Sequence, residues 1–112
     1  MDIIISGRHV TVSDSLKAHN AEKLAKIAGA YPKLTASRTT LDQEKAWALC
    51  EITLHGKNIN LVATARTEDM YVSIDECVGK LEKQLHKFLD RIHDHRPHGE
   101  PRTDADEDTT PA

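Results

Sequence analysis

Four cations, Lys80, Lys83, Lys87 and Arg91, are spaced three, four and four residues apart. At about 100° per residue they fall within an arc of roughly 80° on one side of a helix. A solvated helix face ordinarily mixes signs, whereas here one sign holds a line for three turns. The spacing leaves two readings open, an ordinary solvated helix face and a surface that grips a polyanion such as an RNA backbone. Glu76 and Asp90 sit near the ridge, and Glu76 stands at helical spacing for ion pairs with Lys80 and Lys83. A second basic pair, Lys23 and Lys26, shares a side with His19 on an earlier helical segment. With the two helices side by side, the basic edges are expected to face each other across a shallow groove.

Other chemistries fare worse. His93-Asp94-His95 is rich in metal ligands, but side chains at i and i+2 diverge on a helix, and no HExxH or CxxC accompanies them. His9, His19, His55 and His86 are scattered through different elements and define no site. Cys50 falls inward on a strand and Cys77 on the apolar edge of a helix, so both read as small core residues. There is no GxSxG and no GxGxxG, and five glycines leave little for a phosphate-cradling loop. The expectation is a binding protein with no catalytic residue, metal or cofactor.

The elements that must position the cations follow from periodicity. Ile3 and Ile5 alternate with Ile4 and Ser6 in a short first strand that ends in a turn at Gly7, and 10–12 continues extended to Ser13. Ser13 suits a helix N-cap, with Leu16, Asn20, Leu24, Ile27 and Tyr31 on one face, and Gly29 with Pro32 stops that helix. Residues 34–44 read as a strand. Residues 47–55 and the run from Ile59 through Leu61, Ala63 and Ala65 alternate about the turn Gly56-Lys57-Asn58, which makes a hairpin. Thr67-Glu68-Asp69 opens a second helix whose stripe is Ile74, Cys77, Val78, Leu81, Leu85, Phe88 and Ile92. The order β-α-β-β-β-α predicts an α+β domain with both helices on one face of a four-stranded sheet.

The chain has 112 residues, 38% hydrophobic and 29% charged, enough for one domain. Only Tyr31, Trp47, Tyr71 and Phe88 are aromatic, which excludes a broad base-stacking platform. No apolar run approaches the roughly 20 residues of a membrane span, and the N-terminus lacks the features of a signal peptide. Two cysteines then read as reduced thiols in a cytoplasmic protein. The formal charge of −3 is unevenly spread. Residues 97–112 hold five acids and one base, and residues 1–96 hold 13 acids and 14 bases. The expected organisation is a folded domain over 1–96 and a disordered acidic tail over 97–112.

The run Glu68-Asp69-Met70-Tyr71-Val72-Ser73-Ile74-Asp75, followed by Lys80-Leu81-Glu82-Lys83-Gln84-Leu85-His86-Lys87, resembles the bacterial ribosome hibernation factors. These are the hibernation-promoting factor and protein Y (ribosome-associated inhibitor A) family, in its short form. Ser13-Asp14-Ser15-Leu16-Lys17 and Lys23-Leu24-Ala25-Lys26 agree with the family's helix start and basic pair. The resemblance covers about residues 1–93 and implies a β-α-β-β-β-α fold similar to a double-stranded-RNA-binding domain. It implies a translational silencer that binds the small ribosomal subunit between the subunits, over the messenger path and the aminoacyl and peptidyl tRNA positions. Matched to the family's basic positions, Lys23, Lys26, Lys80, Lys83 and Lys87 lead as contacts to ribosomal RNA, followed by Arg91, Arg8 and Lys17. Asp69, Met70 and Tyr71 match a family motif whose role is capping and packing.

Two subtypes remain. The acidic extension favours the protein Y type, which leaves single inactive ribosomes. The alternative is the hibernation-promoting type, which pairs ribosomes with a modulation factor. In both the free protein is expected to be a monomer with no membrane partner. From the residues alone, a protein-interaction module using the bare sheet face or the tail stays open, as does a binder of free double-stranded RNA.

Overall fold

The structure, a computed structural model, describes residues 1–93, with side chains as far as residue 90. The expected acidic tail at 97–112, the His93-Asp94-His95 ligand candidates and the Arg91 side chain fall outside the described residues. The chain forms β1 (Asp2–Arg8), α1 (Asp14–Ala30), β2 (Leu34–Glu44), β3 (Trp47–Gly56), β4 (Ile59–Thr67) and α2 (Met70–His93), the order that periodicity predicts.

One local expectation holds and one changes. β1 ends at Arg8, in the turn expected at Gly7, and residues 10–12 lie outside the sheet. His9 takes a left-handed φ of 62° and the chain folds back on Gly7, where a Cβ would lie 2.3 Å from the Val10 carbonyl oxygen. Val10 and Val12 still pack against the core, which is the part of the apolar alternation that survives. Gly29, by contrast, does not stop α1; the helix runs through it to Ala30, and the Tyr31 N–H still bonds to the Ile27 carbonyl at 2.9 Å. Pro32, with no N–H to donate, follows directly. At the other end Ser13 caps as expected, its Oγ accepting from the Leu16 N–H at 3.1 Å.

The sheet runs β1-β2-β3-β4, with β1 parallel to β2 and the other two pairs antiparallel. A parallel pair needs a crossover, and α1 is that crossover. Alternation puts Ser37, Thr39 and Leu41 of β2, Ala48, Cys50, Ile52 and Leu54 of β3, and Ala63 and Ala65 of β4 on one buried face. Leu16, Leu24 and Ile27 of α1 and Ile74, Cys77, Leu81 and Leu85 of α2 close over it. Asn20 stands in the apolar stripe of α1 with its Oδ1 accepting from the Thr39 hydroxyl at 3.0 Å, both residues being fully buried, and its Nδ2 has no partner among the described residues.

Both cysteines are free and buried. The Cys77 thiol donates to the Ala63 carbonyl at 3.1 Å. A hydrogen bond with Cys77, then burial, pushes the Cys50 thiol far above the ordinary thiol range. Neither thiol is poised to react.

The opposite sheet face is uncovered by either helix, as expected. One cross-strand row there reads Arg8, Asp42, Leu49, Arg66, and the next Ser6, Thr40, Glu51, Thr64.

Candidate nucleic-acid interface

The Glu68-Asp69-Met70-Tyr71 motif anchors α2. Asp69 Oδ1 accepts from the backbone N–H of Tyr71 at 2.8 Å and of Val72 at 3.4 Å, and Met70 packs on the core. Ser73 is fully buried and donates to the Ala48 carbonyl at 2.7 Å, which fixes the first turn against β3. Tyr71 then reaches across to α1, its hydroxyl donating to Ser15 Oγ at 2.7 Å. One turn further on, Asp75 Oδ1 meets His19 Nε2 at 2.7 Å and Lys23 Nζ at 3.7 Å, while the rings of His19 and Tyr71 pack edge to face at 5.1 Å. Near the far end, Tyr31 stacks edge to face on His86 at 6.3 Å. Tyr71, Asp75 and His86 therefore mark the flank of α2 that faces α1.

The basic ridge lies on the other flank. Lys80 Nζ donates to the Thr64 carbonyl at 2.6 Å, and Gln84 Nε2 to the Val62 carbonyl at 3.0 Å, both on β4. These carbonyls sit on the outer edge of the sheet, so the two side chains cap an edge strand that would otherwise be open to pairing. Lys83 and Lys87 are exposed on the same side, within about 60° of Lys80 around the helix. The groove expected between two basic helix edges is thus not formed. The flank of α2 facing α1 presents Asp75, and the lysine ridge looks out over β4.

Pairing is redistributed too. Among the described residues no carboxylate lies within 4.0 Å of Lys80 or Lys83, so the expected pairs with Glu76 are absent. Lys80 bonds a neutral carbonyl instead, which fixes its ammonium without cancelling its charge. Lys23, by contrast, is about one-third exposed and already held by Asp75. Lys17 and Lys26 are exposed on α1. The helix layer accordingly carries five cations with no carboxylate partner among the described residues: Lys17, Lys26, Lys80, Lys83 and Lys87.

Arg8 does not join them. It projects from the uncovered sheet face, at a concavity of about 510 Å³ shared with Asp42, Leu49, Glu51, Arg66 and the rim residue Lys80. Asp42 there takes a hydrogen bond from His9 Nδ1 at 3.1 Å, which holds its carboxyl below the ordinary carboxylate range, with the Gln43 N–H adding to the effect. Arg66 was not singled out from the sequence; its guanidinium lies 4.8 Å from the Trp47 ring centre. Its signal was present in β4, where it occupies an outward position opposite Leu49. Asp75 and Gln84 were missed likewise, because their roles depend on which neighbour each flank of α2 meets. Among the described residues no group of three His, Cys, Asp or Glu side chains is placed to hold a metal.

Two helices on one face of a mixed four-stranded sheet, with a cationic helix layer, define a small α+β binding domain of the β-α-β-β-β-α class. The family model described as "Sigma 54 modulation protein / S30EA ribosomal protein" matches residues 3–93, and the chain belongs to that family. Among its relatives, the ribosome hibernation promoting factor of Pseudomonas putida is 36% identical over 91 residues, spanning 81% of this chain and 89% of that one. The ribosome hibernation promoting factor of Escherichia coli K12 is 30% identical over 95 residues, spanning 85% of this chain and all of the relative. In solved structures, a ribosomal subunit interface protein from Coxiella burnetii superposes with a TM-score of 0.75 at 25% identity, over 80% of this chain and 98% of that one. The protein Y N-terminal domain of Thermus thermophilus shares the fold, with a TM-score of 0.70 over 79% of this chain and 99% of that one, at 24% identity.

Proposed function

We propose that this chain is a ribosome hibernation factor, acting in the cytoplasm by binding and not by catalysis. It occupies the small ribosomal subunit in the channel between the subunits, overlapping the messenger path and the aminoacyl and peptidyl tRNA positions, and so silences translation in stationary phase or stress. The observation that carries this reading is the match along the whole of a relative named for ribosome hibernation. The helix layer supplies the physical means. Lys17, Lys26, Lys80, Lys83 and Lys87 neutralise phosphates of small-subunit ribosomal RNA without reading sequence, with Lys23, Arg91 and Arg8 as further contacts. The rigid sheet behind them keeps tRNA and messenger out. Residues 1–96 are the binding domain and residues 97–112 an acidic extension to it.

For the subtype, the names of the relatives favour the hibernation-promoting type, which pairs ribosomes with a modulation factor. The acidic extension favours the protein Y type expected from the sequence. Sedimentation of ribosomes with this protein, alone and with a modulation factor, decides between them. Growth of a ribosome-dimer peak supports the first; comigration with single ribosomes and no dimer growth supports the second. Protein left at the top of a low-salt gradient overturns both.

A further inference from the structure

We propose that the acidic segment 97–112 docks on the lysine ridge of α2 in the same molecule and shields it until a stronger polyanion displaces it. Three observations point there. The ridge is unpaired: Lys80, Lys83 and Lys87 have no carboxylate within ion-pair distance among the described residues. The candidate occupant has the complementary charge, with Glu100, Asp104, Asp106, Glu107 and Asp108 against Arg102 alone. The third is connectivity, since the segment leaves the end of the helix that carries the ridge.

The lengths agree. Lys83 lies ten residues before His93, about 15 Å along the helix, and Lys80 about 20 Å. Asp104 to Asp108 follow His93 by 11 to 15 residues, a reach of up to roughly 36–50 Å. The acids can therefore fold back along the ridge with slack to spare. Tethering gives them an effective concentration there of about millimolar, with several charges delivered together. The cations of α1 compete poorly, because Asp75 already occupies Lys23 and the unpaired Lys17 and Lys26, nine residues apart, lie on opposite sides of that helix. The segment acts as a selectivity filter: isolated RNA with few aligned phosphates fails to displace it, and a densely charged rRNA surface succeeds. That consequence rests on the proposed ribosome reading, but the contact itself does not.

The test keeps the full chain. A nitroxide is attached through Ala105→Cys, Cys50 and Cys77 being buried and unlabelled. Amide broadening is read by NMR with no ribosome present. The expected result is strong broadening at Lys80, Lys83 and the neighbouring β4 residues Val62, Thr64 and Arg66, with markedly weaker broadening at Lys23 and Lys26. It is relieved by 0.5 M salt and by Glu100→Gln, Asp104→Asn, Asp106→Asn, Glu107→Gln and Asp108→Asn together. Equal broadening of β4 and α1, or broadening indifferent to salt and to the neutralised acids, overturns the contact. The neutralised variant should also bind poly(U) about fivefold more tightly at 50 mM salt, and equally at 0.5 M. No gain at low salt overturns the shielding. Broadening that persists in a protein unable to bind ribosomes overturns the hibernation reading alone.

Discussion

Replacing Lys83 and Lys87 together by alanine should flatten the salt dependence of binding to isolated small subunits while leaving the fold intact. Both side chains are exposed and alanine is a strong helix former, so the stability change should stay within about 0.5 kcal/mol. Lys80 is left in place because its removal would also uncap the Thr64 carbonyl. If the five unpaired cations of the helix layer each meet a phosphate, log K falls against log salt with a slope of about −3.5 to −4.5. Between 50 and 200 mM salt the parent then loses roughly 100- to 500-fold in affinity. With two cations removed the slope drops to about −2.1 to −2.7, and the loss to roughly 20- to 40-fold. Fluorescence anisotropy of the labelled protein over a salt series reads the slope directly. Lys57→Ala, in the turn between β3 and β4, is the control and should leave it unchanged. A double variant with the parent slope, or a control that lowers it equally, refutes the reasoning.

Leu81→Ala opens a cavity at the centre of α2 beneath a side chain with no exposed surface, and should cost about 2–5 kcal/mol in urea unfolding; a loss below about 1 kcal/mol would contradict the core placement. Asp42 has a folded pKa below its ordinary value of 3.8, so the unfolded chain binds more protons in that window. Its contribution is therefore complete above pH 3.8 and is lost as pH falls through the lower folded value, and Asp42→Asn should remove that part of the acid dependence. Urea midpoints that change identically between pH 5 and pH 3 in parent and variant would exclude it. Ellman's reagent should find no reactive thiol in the native protein and two after denaturation, since Cys50 and Cys77 are both buried.

Much of this architecture is legible in the residues, and the reasons are specific. The alternation of Cys50, Ile52 and Leu54, and the stripe of Ile74, Cys77, Leu81 and Leu85, assign each element a buried face with little ambiguity. Periodicity says which side of a helix meets the sheet but not which flank meets the next helix. The lysine ridge of α2 was therefore expected to border α1, whereas the structure turns it toward β4. The missing information is topological. The β1-α1-β2 crossover sets α1 beside β1, leaving α2 against β3 and β4 with an outer flank beside the edge. Pairing was similarly underdetermined: Glu76 stands at the right spacing for Lys80, but the free carbonyl of Thr64 wins. The turn after β1 was legible at Gly7, and Val10 and Val12 keep an apolar alternation beyond it because they still pack on the core after the backbone has left the sheet.

The central claim is that the helix layer grips ribosomal RNA where messenger and tRNA belong. Hydroxyl-radical footprinting of small-subunit RNA, with tRNA binding measured in the same samples, tests it most directly. The account predicts protection confined to the channel between the subunits, loss of tRNA in step with it, and both weakened by Lys83→Ala with Lys87→Ala. Protection on the solvent side of the subunit, or full tRNA occupancy beside bound protein, would contradict it.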